Sequence, residues 1–368
     1  MDKVDELLTR GVANIIPGRD ELEKVLQSGK KLRVYCGIDV TASHLHIGNA
    51  VPLRKLQQFA DLGHDVTFLI GDFTTLIGDT SDKETERPVI SEADIEANWK
   101  VFAGQAGKVL DLSKITVKRN SEWLSKLPLK EMVKLMRRFS LNDFISRELI
   151  KKRLSSGSSI NLAEVIYPVL QGYDCYFMDM DIQVGGTDQT FNMQAGRALQ
   201  KQIRDKETFV MSFEFLTGTD GRKMSKSWGN AIWLDDSPND IYGKVMSVKD
   251  GLIPEYFLLA TKLPVPDISN PMEAKKHLAH QIVLELYGKS EADQAQNYFE
   301  STFQKGQIPA DIPEVSVKSQ DVVGMLVETK LASSKSEARR LVEQGAVKMH
   351  ESGVLQVGPR KFVKIKNG

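Results

Sequence analysis

Cysteine is scarce in this sequence of 368 residues, which contains only Cys36 and Cys175. Two cysteines cannot build a disulfide framework, and their separation is not a metal-ligand spacing. No apolar run approaches the length of about 20 residues that a membrane-spanning helix needs, and the charged N-terminal residues lack the apolar core of a secretory signal. We therefore expect a protein of a reducing, cytoplasmic compartment that has no membrane partner.

An excess of one charge is also lacking, because 49 basic residues balance 49 acidic ones and the formal net charge is zero. Such a protein has no global field that attracts nucleic acid, so any contact with RNA must come from a local basic patch. A third absence concerns nucleotide chemistry, since no G-x-G-x-x-G pattern follows the first predicted strand with an acidic residue suitably downstream. This absence argues against an oxidoreductase that binds a dinucleotide.

What the sequence does contain is an alternation of short apolar runs with amphipathic stretches. Strands are predicted at residues 34–38, 66–70, 115–117, 182–184 and 209–211. Such alternation is typical of an α/β fold with a Rossmann-like, doubly wound parallel sheet. The sequence before the first of these strands, residues 1–30, is predicted to be a helical lead-in that breaks at Pro17 and Gly18.

The length allows two or three domains, and composition suggests where they divide. We predict a catalytic nucleotide-binding domain at 1–233 with an insertion at about 121–165, a helical domain at 234–306, a linker at 307–313 and a small α+β domain at 314–368. The last segment carries ten basic and six acidic residues, a local net charge of +4. Ser334 and Glu337 predict a capping box at the start of a basic helix, and Gly345 predicts its end. Short strands are expected around a turn at residues 351–353.

The first candidate motif predicts a site for a nucleotide phosphate. Residues 34–49 read VYCGIDVTASHLHIGN, a pattern of strand, glycine turn and helix N-terminus. Backbone N–H groups and the positive end of the helix dipole attract phosphate at such a point, and Gly48 would let a nucleotide lie against the backbone. An ordinary helix cap would explain His46 and Asn49 equally well.

The second candidate motif is a basic loop. Residues 221–229 read GRKMSKSWG and place Lys223 and Lys226 among small hydroxyl residues. That composition suits a clamp on polyphosphate, although a solvated basic loop gives the same pattern. In this order the two motifs resemble the signature pair of class I aminoacyl-tRNA synthetases, whose first motif is His-Ile-Gly-His. This sequence has Asn49 at the fourth position, and an amide can donate a hydrogen bond to phosphate but carries no charge.

A third motif narrows the resemblance. Residues 167–174 read YPVLQGYD, which places Tyr167, Gln171 and Asp174 on one face of a predicted helix. Phenol, amide and carboxylate groups in that arrangement can hold the ammonium and hydroxyl groups of a small zwitterion. Together with Tyr35 and the run QVGGTDQ at 183–189, the motif resembles the tyrosyl-tRNA synthetase family. The match runs nearly continuously from residue 35 to residue 233, and the helical and C-terminal parts follow in the family's order.

This resemblance implies a role for each matching residue. The phenol of tyrosine would be bound by Tyr35 and Asp174, and its α-amino and carboxylate groups by Asp79, Tyr167, Gln171 and Gln189. The ribose and adenylate contacts of ATP would be Cys36, Gly37, Asp39, Gly186 and Asp188, and its phosphate contacts Thr41, His46, Gly48 and Asn49. A basic set would close on pyrophosphate, namely Lys83, Arg87, Lys223 and Lys226.

The family also implies partners. These are L-tyrosine, ATP accompanied by Mg²⁺, and tRNA(Tyr), with no prosthetic group and no dedicated protein cage for the metal. The tail resembles an S4-like RNA-binding domain, in which Lys335, Arg339 and Arg340 would contact RNA. The resemblance further implies a homodimer. The apolar residues of the insertion fit either a domain core or the subunit interface, namely Met136, Phe139, Phe144 and Ile145.

Two alternative functions stay open at this point. One is a tryptophanyl-type synthetase, which Tyr35 and Asp174 disfavour because both suit a hydroxyl group. The other is a synthetase-like RNA-binding protein without charging activity, for which the departure at Asn49 leaves room. Retention of Lys223, Lys226 and the tyrosine motif argues against this second alternative.

Overall fold

The computed structural model describes residues 2–79, 90–225, 228–304, 312–350, 353–358 and 361–367. The chain divides into two compact units, Met1–Ala292 and Asp293–Gly368. The domain boundaries proposed above, after residues 233, 306 and 313, stay predictions. Among the described residues, no helix is both long and apolar enough to cross a membrane.

A six-stranded sheet forms the centre of the first unit. Its strands are β1 (Val12–Ile16), β2 (Arg33–Ile38), β3 (Asp65–Ile70), β4 (Ile115–Arg119), β5 (Ile182–Gly186) and β6 (Phe209–Phe213). They lie in the order β1-β6-β5-β2-β3-β4. All neighbours from β6 to β4 are parallel, so the α/β fold with a doubly wound parallel sheet is confirmed.

The edge strand β1 corrects the predicted helical lead-in. It pairs antiparallel with β6, from Val12 opposite Phe213 to Ile16 opposite Val210. The prediction of a wholly helical segment at 1–30 was therefore wrong for this stretch. Short strands of this kind carry too few residues to show a clear period and depend on their pairing partner.

Helices cover the sheet and fill the connections. In chain order they are α1 (Lys3–Thr9), α2 (Arg19–Gln27), α3 (Ile47–Asp61), α4 (Asp72–Thr75), α5 (Glu92–Ala106), α6 (Ser121–Leu124), α7 (Leu129–Met136), α8 (Leu141–Ile145), α9 (Glu148–Ser155), α10 (Leu162–Phe177), α11 (Thr190–Arg204), α12 (Pro238–Met246), α13 (Ile253–Ala260), α14 (Pro271–Tyr287) and α15 (Lys289–Phe299). Short 3₁₀ turns occupy Thr187–Gln189 and Asp250–Leu252, and a π-helical turn occupies Glu300–Gln304.

The strand order creates a crevice at the centre of the sheet. From β2 the chain first adds β3 and β4 on one side, and later adds β5 and β6 on the other. In open parallel sheets, ligands bind outside the carboxyl ends of the strands at such a reversal. The fold therefore places the residues that follow β2 and β5, including Asp39 and the turn Thr187–Gln189, at one position.

Close packing of α10 on α11 fixes the helix that carries the third motif. A Cβ atom on Gly172 would lie 3.0 Å from the carbonyl carbon of Ala195, which is tighter than nine in ten such contacts. A glycine therefore permits the two helices to approach this closely. The two nearest atoms belong to the backbone of Ala195 and Gly196, so they cannot move aside as a flexible side chain would.

The apolar residues of the insertion belong largely to the core. Phe144 is buried with Leu135, and Met136 and Phe139 pack against the same cluster. Of the two interpretations of this apolar series, domain core therefore applies to these three side chains.

After the end of α15 and the π-helical turn, the described part of the second unit contains a four-stranded sheet and two short helices. Its elements are β7 (Glu314–Val317), α16 (Val322–Glu328), α17 (Lys335–Glu343), β8 (Val347–Met349), β9 (Val354–Val357) and β10 (Lys361–Asn367). The strand order is β7-β10-β9-β8, with β10 parallel to β7 and antiparallel to β9. Of the predicted turn at 351–353, only Gly353 lies within the described residues.

The predicted cap of α17 is present in part. Ser334 Oγ accepts from the backbone N–H of Glu337 at 3.2 Å. The carboxylate of Glu337, however, accepts from the N–H and hydroxyl of Ser333 rather than from Ser334. Gly345 follows the helix with a φ of +67°, as predicted for a glycine just past a helix end.

Candidate active site

The N-terminus of α3 is built by a reciprocal cap between His46 and Asn49. Nδ1 of His46 accepts from the backbone N–H of Asn49 at 3.2 Å, and Oδ1 of Asn49 accepts from the backbone N–H of His46 at 3.0 Å. Because Nδ1 accepts, the ring proton of neutral His46 lies on Nε2, which is therefore a donor. Among the described residues, Nδ2 of Asn49 has no acceptor and is a second donor at this helix end.

Burial keeps the imidazole of His46 neutral. Desolvation, and then the nearby positive charge of Lys223, lower the pKa of His46 to about 4. A neutral ring at physiological pH can donate from Nε2 without repelling a neighbouring lysine. The site therefore presents a hydrogen-bond donor rather than a cation at this point.

The structure brings the two predicted phosphate motifs together through the backbone. The N–H of Ile47 donates to the carbonyl of Ile232 at 2.9 Å, and the N–H of Leu234 donates to the carbonyl of Leu45 at 2.8 Å. This short antiparallel contact joins the start of α3 to the segment that follows the basic loop. Lys223, far from His46 in sequence, consequently lies close enough to influence its pKa.

Asn230 holds the described part of the basic loop. Its Oδ1 accepts from the N–H of Ser225 at 2.8 Å, and its Nδ2 donates to the carbonyl of Lys223 at 3.1 Å and to Oδ1 of Asp220 at 2.8 Å. Lys223 also lies over the half-exposed ring of Phe215, with Nζ 5.4 Å from the centroid. The hydrogen bonds of Asn230 thus fix the backbone around Lys223.

Three polar side chains clamp the loop between β2 and α3. The hydroxyl of Thr75 accepts from the N–H of Val40 at 2.9 Å, and Nδ2 of Asn98 donates to the carbonyl of Val40 at 3.0 Å. Buried Gln105 accepts from the N–H of Leu45 and donates to the carbonyl of Ser43. Sequence reasoning missed these side chains, because nothing local indicates that they bond this loop.

A buried carboxyl group, that of Asp174, lies on α10. Its side chain is 2% exposed. Oδ1 accepts from Trp123 Nε1 at 2.7 Å and Oδ2 accepts from Asn120 Nδ2 at 3.1 Å. Burial raises the pKa of Asp174 to about 8, although the two hydrogen bonds act in the opposite direction. Trp123 and Asn120 are further residues that the sequence did not indicate.

A continuous chain of hydrogen bonds joins this carboxyl group to the end of β2. Asn120 Nδ2 also donates to the hydroxyl of Thr74 at 3.0 Å, and that hydroxyl donates to Oδ1 of Asp39 at 2.7 Å. Oδ2 of Asp39 accepts from the hydroxyl of Tyr167 at 3.0 Å. The oxygen of Tyr167 keeps its lone pairs for a ligand, because its proton is given to Asp39.

The remaining predicted amino-acid contacts lie shortly after α4, on α10, in the turn after β5 and on β2. Oδ2 of Asp79 accepts from Nε2 of Gln189 at 2.6 Å. Gln171 is half-buried on α10, between Tyr167 and Asp174 in sequence. Tyr35 is buried on β2, and its hydroxyl donates to Oε1 of Gln183 at 3.0 Å.

The predicted ATP contacts lie on β2, in the loop after it, at the start of α3 and at the end of β5. Gly37 is exposed and Thr41, Gly48 and Gly186 are half-buried, whereas the thiol of Cys36 is buried and burial raises its pKa to about 12. A Cβ atom on Gly186 would lie 2.6 Å from a carboxylate oxygen of Asp188, so this glycine makes room for that side chain. Lys83, Arg87 and Lys226 lie outside the described residues.

In the second unit, the predicted RNA contacts share one helix. Lys335, Arg339 and Arg340 are exposed on α17. Lys364 and Lys366, in contrast, both form ion pairs with Glu314.

Comparison with known proteins gives a consistent result. A family model described as tRNA synthetases class I (W and Y) matches residues 27–304, and a model described as the tyrosine–tRNA ligase SYY-like C-terminal domain matches residues 304–357. The chain is 39% identical to a tyrosine–tRNA ligase of Dehalococcoides mccartyi, over 97% of this chain and 94% of that relative. It is 37% identical to a tyrosine–tRNA ligase of Thermotoga maritima, over 99% of this chain and 97% of that relative.

Solved structures show the same fold. A C-terminally truncated mitochondrial tyrosyl-tRNA synthetase of Aspergillus nidulans superposes with a TM-score of 0.69 at 25% identity, covering 82% of this chain and 94% of that one. The tyrosyl-tRNA synthetase of Archaeoglobus fulgidus, solved with L-tyrosine, superposes with a TM-score of 0.64 at 19% identity, covering 80% of this chain and 99% of that one.

The depressed pKa of His46 predicts a loss of stability in acid. The unfolded chain takes up the imidazole proton near the ordinary pKa of about 6.5, whereas the folded chain resists it down to about 4. Stability from this group is therefore complete above pH 6.5 and falls as the pH approaches 4. The free energy of unfolding of the wild type, measured with urea, should fall between pH 7 and pH 4.5. We expect this fall to be about 1–2 kcal/mol smaller in His46→Gln.

His44→Gln is the matched control for this measurement. It also removes one imidazole from the same loop, but the ring of His44 bonds a carboxylate oxygen of Asp235 at 2.7 Å and not a backbone N–H group. An identical pH dependence for wild type and His46→Gln would show that the fold does not keep this ring neutral.

Proposed function

The chain belongs to the class I tRNA synthetase family of the tryptophan and tyrosine enzymes, and on that basis we propose that it is a tyrosine–tRNA ligase. It activates L-tyrosine with ATP to tyrosyl-adenylate and pyrophosphate, and then transfers the tyrosyl group to the 3′ end of tRNA(Tyr). The observation that carries the choice of tyrosine is the buried carboxyl group of Asp174, held by Asn120 and Trp123. Such a group, near the hydroxyl of Tyr35, suits a ligand hydroxyl that would otherwise be costly to bury.

The first step requires no protein nucleophile, because the carboxylate of tyrosine is ionised at neutral pH and attacks the α-phosphorus itself. What the protein supplies is alignment and stabilisation of the charge that builds on the phosphates. The N-terminus of α3, Nε2 of His46 and Nδ2 of Asn49 would donate to phosphate oxygens. Lys223 would neutralise phosphate charge, and we assign the same task to Lys226, Lys83 and Arg87.

The other end of tyrosine is a zwitterion. Asp79, Tyr167 and Gln171 would bind the ammonium group, since the oxygen of Tyr167 has given its own proton to Asp39 and can accept. Gln189 would lie near the carboxylate. Cys36, Gly37, Asp39, Thr41, Gly48, Gly186 and Asp188 would surround the rest of ATP.

We include Mg²⁺ as the companion of ATP. Among the described residues, no group of three or more histidine, cysteine or acidic side chains is placed to hold a metal ion. Mg²⁺ often keeps several waters and binds mainly through substrate phosphates, so a metal that arrives with ATP would be held by the phosphates. We also propose a cytoplasmic location, which the two free, buried cysteines suit.

We expect amino-acid-dependent ATP–pyrophosphate exchange to respond to tyrosine and to reject phenylalanine. A site that binds a hydroxyl group leaves its own polar groups unpaired when the ligand lacks that hydroxyl. The usual discrimination in kcat/KM, about 10⁴–10⁵-fold, comes from tyrosyl-tRNA synthetases themselves and is therefore a family expectation. Asp174→Ala should reduce kcat/KM for tyrosine at least about tenfold, because it removes a buried partner of that hydroxyl. Asp20→Ala, an exposed acid on α2, should leave it unchanged.

The exchange assay with all twenty amino acids also tests the alternatives. Equal exchange with tryptophan would favour a tryptophanyl-type synthetase. The absence of exchange with every amino acid would favour an RNA-binding protein that does not charge tRNA.

We propose that residues 314–368 bind tRNA. Support comes from the exposed basic side chains of α17, Lys335, Arg339 and Arg340, in a segment whose net charge is +4. Phosphate contacts of this kind supply much of the affinity for nucleic acid and make it depend on salt.

Arg339→Ala combined with Arg340→Ala should weaken tRNA binding and flatten its dependence on salt, because each lost phosphate contact removes about 0.7–0.9 from the logarithmic slope. Pyrophosphate exchange should be unchanged. Lys364→Ala with Lys366→Ala is the control, since it removes the same charge from side chains already paired with Glu314. Equal loss of binding in both variants would mean that overall charge, and not the surface of α17, attracts the tRNA.

We also propose a homodimer that forms through the insertion. Several large apolar side chains are exposed there and at the start of α10: Leu129 (78%), Leu141 (62%) and Leu162 (73%), with Val133 and Leu154 also exposed. A second copy related by two-fold symmetry would remove these side chains from water.

Sedimentation at micromolar concentration should give a dimer for the wild type. Leu129→Glu with Leu162→Glu should shift it towards monomer, because each change would place a carboxylate in an apolar interface. Leu112→Glu, at an exposed leucine outside the insertion, should remain dimeric. A stable wild-type monomer would refute the proposal.

A further inference from the structure

We propose that Gln183 is a positioning residue that fixes the hydroxyl of Tyr35 as a hydrogen-bond acceptor towards the phenol of the substrate. The inference rests on the proposed function and deepens it. It assigns part of the selection of tyrosine over phenylalanine to a side chain that need not touch the ligand.

The orientation of the Gln183 amide follows from its partners. Gln183 lies on β5 and is 1% exposed. Its Nε2 donates to the backbone carbonyl of Met193 at 2.7 Å, and its Oε1 lies 3.0 Å from the hydroxyl of Tyr35. A backbone carbonyl can only accept, so the amide nitrogen must face Met193 and the amide oxygen must face Tyr35. The single hydroxyl proton of Tyr35 is therefore donated to Gln183.

The backbone makes this arrangement possible from two sides. Tyr35 and Gln183 are direct neighbours in the parallel pairing of β2 with β5. On the opposite side, a Cβ atom on Gly196 of α11 would lie 2.6 Å from Oε1 of Gln183 and 2.8 Å from Cβ of Cys175. The glycine thus leaves the space that the amide occupies.

Because the proton of Tyr35 is donated to Gln183, it determines whether the ligand must donate or accept a hydrogen bond in this pocket. Tyr35 can offer only lone pairs to the substrate. When Asp174 is ionised, it too offers only lone pairs. When Asp174 is protonated, it can donate to the phenol oxygen while the phenol donates onward to Tyr35. With the phenol bound, the substrate supplies a proton to the pocket in both states, which the phenyl ring of phenylalanine cannot do.

Without Gln183, the proton of Tyr35 would be free to turn towards Asp174. The two groups are close enough for the charge of Asp174 to contribute to the raised pKa of Tyr35, after burial and Cys175. The pocket could then satisfy its own polar groups in the absence of a ligand hydroxyl. Selectivity would fall because phenylalanine would no longer leave an acceptor unpaired.

The test is the ratio of kcat/KM for tyrosine to that for phenylalanine in ATP–pyrophosphate exchange. Gln183→Met keeps the length of the side chain but removes the acceptor. We expect this ratio to fall about tenfold or more, with the KM for ATP unchanged. In a Tyr35→Phe background, Gln183→Met should change the ratio little further, because Gln183 acts through the missing hydroxyl.

Two further variants separate positioning from stability. Gln183→Glu retains an acceptor oxygen, and its carboxyl group, protonated by burial, can donate to Met193, so the ratio should stay near that of the wild type. Gln200→Met removes another fully buried glutamine, whose Nε2 donates to the carbonyls of Cys175 and Met180 at 3.1 and 3.2 Å. It should lower stability without changing the ratio.

The outcomes distinguish this inference from the proposed function. No tyrosine-dependent exchange by the wild type would refute the function. Normal wild-type exchange would leave the function standing and overturn the inference in any of three cases: Gln183→Met reduces the use of both amino acids equally, Gln183→Glu loses selectivity as Gln183→Met does, or the effect of Gln183→Met persists undiminished in the Tyr35→Phe background.

Discussion

The burial of the carboxyl group of Asp174 is the constraint on which the rest of the site depends. Removing such a group from water costs more than one hydrogen bond returns, and the fold meets this cost with donors from Asn120 and Trp123. Those donors come from the end of β4 and from α6, whereas Asp174 belongs to α10. The sheet, the insertion and α10 must therefore assemble together. Once assembled, they hold the carboxyl oxygens of Asp174 in one orientation towards a ligand.

The start of α3, where we propose that phosphate binds, follows a different electrostatic rule. There the donors are backbone N–H groups, an amide and an imidazole that burial keeps neutral. A protonated His46 would repel Lys223, which the backbone contact between Ile47 and Ile232 brings close. Neutral donors at a fixed helix end can therefore act beside a cationic loop side chain without electrostatic repulsion between them.

Spacing along the chain revealed some of the site and not the rest. Tyr167, Gln171 and Asp174 could be placed on one face because a helix repeats every 3.6 residues, and α10 does carry all three. The partners that orient them show no such period. Trp123, which binds Asp174, precedes it by 51 positions. In the same way Gln183, which binds Tyr35 of the same predicted site, follows it by 148. Asn120 and Trp123 are ordinary residues in a sequence until a fold places them against a buried group, and the run at 183–189 did not show which partner Gln183 binds.

By itself, the sequence determined the five parallel strands, the helix that carries the tyrosine motif and the ends of α17, because periodicity and caps act between residues close together in the chain. Only the tertiary structure decided that Val12–Ile16 is an edge strand, that Phe144 belongs to the core and that the proton of Tyr35 points to Gln183. Each of these depends on a partner distant in sequence. The direction of a hydrogen bond in particular is set by the one neighbour that can only accept, and the fold alone chooses that neighbour.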